Sequence, residues 1–146
     1  MPFIASNGLT EEGTSKTIAA GGIRVHYHEA GEGDPVLFLH SYGPGTTAWI
    51  TFHKTVGALS QHFRCILMDM PNFAKTGPIV YREGVHAVQA RTGVALLDAL
   101  GIARAHWVAL AHIVVVHPHA AGHDGLAGAG LGQAIGRDER HVFLLN

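Results

Sequence analysis

Residues 35 to 45 read "PVLFLHSYGPG": an unbroken apolar run from Pro35 to His40 that ends in a glycine- and proline-rich loop. A strand with one wet face alternates, whereas a run without alternation is the pattern of a strand covered on both faces, as in a parallel sheet with helices above and below. Two more such runs follow, "FRCILMD" (Phe63 to Asp69) and "AHWVAL" (Ala105 to Leu110). Between the first two, Trp49, Phe52, Val56 and Leu59 recur at helical spacing, predicting an amphipathic helix from Thr47 to His62. Before the third, Val85, Val88, Thr92, Ala95, Leu96 and Ala99 predict another from Gly84 to Leu100, with Gly101 placed to close it in a left-handed conformation. Strand, helix, strand, helix, strand with right-handed crossovers lays the three central strands parallel, with helices on both faces. Upstream, "IRVHYHE" (Ile23 to Glu29) alternates like a strand with one covered face, and the residues before it read as a polar leader.

The totals agree with a globular α/β domain. The chain has 146 residues, 47% hydrophobic, 14% charged and 8% aromatic, which is too apolar and too weakly charged for a disordered polymer. Ten basic and eleven acidic residues leave a formal charge of −1, so no long-range field recruits nucleic acid or an anionic membrane, and neither partner is expected. The lone Cys65 sits in an apolar run and has no internal partner, which fits a buried thiol in a reducing compartment. The start lacks a basic and an apolar leader segment, and no run approaches the length that spans a bilayer, so the cytoplasm is the expected location.

Beyond Leu110 the pattern changes. Six glycines fall between residues 122 and 136, each costing about 1 kcal/mol in a helix relative to alanine, and six of the twelve histidines lie in the last 41 positions. The division expected is therefore 1–110 as one structured unit and 111–146 as a Gly/Ala/His-rich tail of uncertain order.

Three stretches, "LHSYGPGTTAW", "LMDMPNFAKTGP" and "LLDALGIARAHWV", together resemble the α/β-hydrolase superfamily. Within it they resemble the carbon–carbon hydrolases that act on meta-cleavage products of aromatic-ring degradation. The resemblance covers about residues 20 to 108, and the order and spacing of three motifs is far more specific than any one of them. It implies a truncated α/β-hydrolase-like, mostly parallel sheet with flanking helices and no cap domain. It also implies a cofactor-free reaction in which a 2-hydroxy-6-oxo-dienoate is ketonised and then hydrolysed at a carbon–carbon bond by serine, histidine and aspartate.

The first motif is similar to the family's HGxGPG loop, whose backbone N–H helps bind the oxyanion. Here it is His40, Ser41, Tyr42, Gly43, Pro44 and Gly45, with Tyr42 supplying the amide and with Ser41 and Tyr42 standing where glycines let backbone approach substrate. Thr51 matches a substrate-facing asparagine of many relatives. The second motif is similar to DxPGxGxS, with Asn72 and Ala74 at its glycine positions.

The third should lead into GxSxG, a strained elbow that exposes the nucleophile. Alignment on "RAHWV" instead places Ala109, Leu110, Ala111, His112 and Ile113 there, so Ala111 stands at the serine position with no oxygen to attack with. Asp138 and His141 lie too near the end to be taken as the family's acid and base. The expectation is a catalytically silent, truncated or frame-altered member. Two alternatives remain: an interaction module that self-associates or awaits a completing chain through an apolar sheet edge, and a weak metal binder using His117, His119 and His123. Ser41 beside His40 reads as a loop serine, and Asp69 and Asp98 as capping and solvated groups.

Overall fold

A computed structural model describes residues 7–110 and the backbone of 142–145. A single helical turn, α1 (Glu11–Thr14), capped by the Thr10 side chain accepting from the Gly13 N–H at 3.0 Å, leads into β1 (Ser15–Ala20). There follow β2 (Ile23–Ala30), β3 (Asp34–Leu39), α2 (Ala48–Leu59), β4 (Phe63–Met68), α3 (Val85–Ala99), β5 (His106–Leu110) and β6 (Val142–Leu145). Among the described residues these strands form one sheet in the order β1-β2-β4-β3-β5-β6. The pairs β3/β4, β3/β5 and β5/β6 are parallel, and β1/β2 and β2/β4 antiparallel.

The unalternating runs are explained by two cores, one on each face. Along β3, Val36 and Phe38 point to the face covered by α2, where Trp49, Phe52 and Val56 pack. Leu37 and Leu39 point to the other face, with Leu96 and Leu97 of α3 and Trp107 of β5. β4 divides in the same way, Cys65 and Leu67 to one side, Ile66 and Met68 to the other. Each fully buried Leu, Ile or Phe stabilises the fold by about 1.5–3 kcal/mol. Cys65 is a free, buried thiol whose pKa is pushed up to about 11 by burial, which keeps it in the unreactive form.

Four expectations are corrected. The leader is not merely polar: α1 and β1 occupy it, β1 pairing with β2 from Ser15↔His28 to Ala20↔Ile23. β2 has two covered faces rather than one, because His26 and His28, 3% and 1% exposed, are buried under α1, β1 and Trp49. The buried stripe of α3 is Gln89, Thr92, Gly93, Leu96 and Leu97, turned from the predicted one, with Ala99 exposed. That turn follows from Gly93, where an added Cβ would meet the Trp107 ring at 2.8 Å, so the helix presents its glycine to the bulkiest side chain of β5. Finally, β5 is not left as an open edge, since Trp107 to Leu110 pair with Val142 to Leu145. Residues 111–141 lie outside the described residues.

The loop after β4 carries, among the described residues, the two non-glycine residues with left-handed backbone, Asn72 (φ 66) and Ala74 (φ 44). Asn72 stabilises its own conformation, its side chain accepting from the Ile79 N–H at 2.8 Å and donating to the Ile79 carbonyl at 2.9 Å. Ala74 has no such compensation and carries the steric cost of its Cβ. Ala74→Gly is therefore expected to raise unfolding stability by about 1 kcal/mol, read as a higher urea midpoint at unchanged slope.

Burial of the His28 ring, followed by the neighbouring His26, lowers its pKa from 6.5 to about 4. The unfolded chain thus binds a proton that the folded one refuses, and stability present above pH 6.5 is lost as pH falls towards 4. The loss is up to about 3 kcal/mol across that window. Urea titrations at several pH values should show this slope, and His28→Gln should flatten it; an unchanged slope in the variant would assign the effect elsewhere.

Candidate functional site

The loop between β3 and α2 is built by short-range hydrogen bonds and clamped at both ends. Thr46 donates its N–H to the Gly43 carbonyl at 3.1 Å and its hydroxyl to the Ser41 and Gly43 carbonyls at 3.1 and 2.7 Å. Gly45 takes φ 76, the one position of the loop that needs a residue without a Cβ. Ser41 and Tyr42 do not have left-handed backbone, so their side chains are carried without strain.

His40 is fully buried, and both its ring nitrogens are engaged. Nδ1 donates to the Ser41 carbonyl at 2.9 Å and Nε2 accepts from the Met70 N–H at 3.0 Å. Burial lowers its pKa below the usual imidazole range, so the ring is neutral and this tautomer is the one both bonds require. The imidazole therefore meets the backbone of Ser41 and not its hydroxyl. Thr51, on the second turn of α2, donates its hydroxyl to the Thr47 carbonyl at 2.8 Å. Its oxygen is thus committed to its own helix.

The Tyr42 ring packs edge-on against Phe73 at 5.1 Å, and burial raises the pKa of its phenol. Its hydroxyl, together with both amide atoms of the fully buried Gln89, has no hydrogen-bond partner among the described residues. Ala111, Ile113, His117, His119, His123, Asp138 and His141 lie outside the described residues.

Sequence reasoning missed a buried polar cluster among the described residues. Asp69, expected only to cap, is 1% exposed at the end of β4. Its Oδ1 accepts the Ala48 N–H at 2.8 Å, satisfying a donor at the start of α2, and its Oδ2 lies 2.6 Å from His26 Nδ1. His28, on the same side of β2, holds Thr14 Oγ1 at 3.0 Å through Nδ1. His26, His28 and Asp69 form a group whose ligand atoms lie within 4.8 Å of one another. The available signal was the spacing "HYH", which puts two imidazoles on one face of a strand. Among the described residues no helix is long and apolar enough to cross a membrane.

No protein-family model matches the chain. Curated relatives and solved structures do. The 2-hydroxy-6-oxo-6-phenylhexa-2,4-dienoate hydrolase of Comamonas testosteroni is 44% identical over 85 residues, 58% of this chain and 30% of that protein. The meta-cleavage product hydrolase of Pseudomonas fluorescens IP01, solved as a mutant complexed with acetates, matches at 35% identity and a TM-score of 0.60, over 64% of this chain and 34% of that one. An epoxide hydrolase of Vigna radiata matches at 28% identity and a TM-score of 0.60, over 68% and 31%. The chain thus spans about a third of the length of the relatives it matches. With the strand order, the loop after β3 and these relatives in place, the described residues have the α/β-hydrolase fold and resemble, within it, the meta-cleavage product hydrolases.

Proposed function

We propose that this chain keeps the framework beneath the oxyanion loop of a meta-cleavage product hydrolase and does not itself cleave a carbon–carbon bond. One observation carries the reading: β5 ends at Leu110, and the next residue, at the position where relatives of this kind set a nucleophilic serine, is Ala111. A methyl group has no lone pair with which to attack a carbonyl. The hydroxyls on the described side of the site do not replace it, since Thr51 is bonded to its own helix and the imidazole next to Ser41 is bonded to backbone on both nitrogens. Support for the retained loop comes from its closed hydrogen bonding and from the position of Tyr42 within it. A second reading, self-association or a completing chain, would use the outer side of β6, which has no neighbour among the described residues. The change from motif-bearing to Gly/His-rich sequence at this point favours a frame alteration. Coding DNA read past residue 108 in the other two frames should then restore a GxSxG elbow; its absence from both frames rules that origin out.

Purified chain incubated with 2-hydroxy-6-oxo-6-phenylhexa-2,4-dienoate should leave the dienoate absorbance unchanged beyond buffer. Enzymes accelerate reactions by at least about a million-fold, so even a poor catalyst would be seen. Ala111→Ser alone should not restore turnover, because β-branched Ile113 stands where the elbow requires glycine. Turnover by the unmodified chain overturns the reading.

A further inference from the structure

β1, β2 and the end of β4 assemble a hydroxyl, an imidazole and a carboxylate in series. Ser15 Oγ lies 2.6 Å from His26 Nε2, and His26 Nδ1 lies 2.6 Å from Asp69 Oδ2. Exposure falls along the chain of bonds: Ser15 is partly exposed, His26 3% and Asp69 1%. The protonation pattern follows from the partners. An ionised carboxylate only accepts, so Nδ1 carries the proton; the neutral ring then has its lone pair on Nε2, and the Ser15 hydroxyl must donate to it. A base that holds the hydroxyl proton and is itself oriented by a buried carboxylate is the arrangement that activates a serine.

The imidazole is also held still. Thr76 brackets its residue, accepting the His26 N–H at 2.9 Å and donating to the His26 carbonyl at 3.3 Å, while the Asp69 N–H takes that same carbonyl at 3.1 Å. The His28 ring stands edge-on at 4.9 Å, and Asp69 is fixed from behind by Ala48. Fixed geometry of this kind is what a proton acceptor needs at the moment of attack. The same residues make a poor metal site, because both His26 nitrogens and both Asp69 oxygens are already in hydrogen bonds.

We propose that Ser15 is a nucleophilic hydroxyl, primed by His26 with Asp69 as its positioning residue, that takes an acyl or phosphonyl group from a small activated donor. With a fluorophosphonate, the Oγ–P bond forms and the P–F bond breaks. Fluoride leaves with the bonding pair, and the hydroxyl proton passes to His26 Nε2, giving an imidazolium that Asp69 stabilises. The proposal is independent of carbon–carbon cleavage, and its failure would leave the reading at Ala111 untouched.

The probe is a small alkyl fluorophosphonate added to the full chain, with the adduct located by peptide mass mapping. A single adduct is expected on Ser15 and not on Ser6, Ser41 or Ser60, the other serines of the chain. Its rate should exceed that of a free serine amide by at least about 100-fold, the usual worth of a positioned general base. Ser15→Ala should abolish it, and His26→Gln, checked for native circular dichroism, should slow it by a similar factor. Should His26→Gln fail to fold, the labelling rate relative to a free serine amide and its loss in Ser15→Ala decide the matter. No adduct, an adduct on another serine, a rate no faster than that of the free serine amide, or an equal rate in folded His26→Gln overturns the proposal.

Discussion

The arrangement depends on one buried carboxylate. Taking an ionised carboxyl group out of water costs several kcal/mol unless its lone pairs are filled by good donors. Asp69 fills them with the Ala48 N–H and the His26 ring, and by doing so ties the end of β4 to the start of α2 and to β2. The next residue, Met70, gives its N–H to His40 at the end of β3. The loop from His40 to Thr47 is thus pinned at its entry by Met70 and at its exit by Asp69, two consecutive residues of one strand end. Its shape is set from below, by the sheet, and not by the residues it would present to a ligand.

What could be read from the sequence was the part governed by burial. Parallel central strands and their crossover helices bury both faces, so β3, β4, β5 and α2 declare themselves through their apolar patterns, the strands to within a residue of their observed ends and α2 to within three. β1 does not, because an edge strand packs few side chains: Lys16, Thr17 and Ala19 are all exposed, and the order there comes from pairing with β2, which no local pattern records. The histidine face of β2 misled for a related reason. His26 and His28 are polar by letter, yet their nitrogens find Ser15, Asp69 and Thr14, so they behave as buried residues once tertiary partners exist. Neither partner set lies within the window of residues that a periodicity argument inspects.

Asn72 and Ala74 show how tertiary contacts can impose backbone geometry on residues not suited to it. Both adopt the left-handed conformation that glycine adopts freely. The turn is enforced by bonds elsewhere: Asn72 N–H to the Thr76 carbonyl, Phe73 N–H to Met70, and Gly77 N–H to the Arg24 carbonyl of β2. Ala74 is strained because these contacts over-determine the loop. At Ser41 and Tyr42 the contrary holds, since no left-handed backbone is adopted there and the side chains have no conformational cost.

These observations explain how the described framework holds itself together. Among the described residues, the hydrogen bonds that fix Asp69, His26, His28 and His40 close among residues 11 to 76, and none of them involves β5. The loop after β3 and the buried histidines are therefore held by contacts among β1, β2, β4 and the start of α2. The same closure is what makes the Ser15 hydroxyl a separate matter. Its imidazole and carboxylate are present for structural reasons, to join β1, β2, β4 and α2, and a partly exposed oxygen at the end of such a chain gains reactivity from an arrangement that the fold requires in any case.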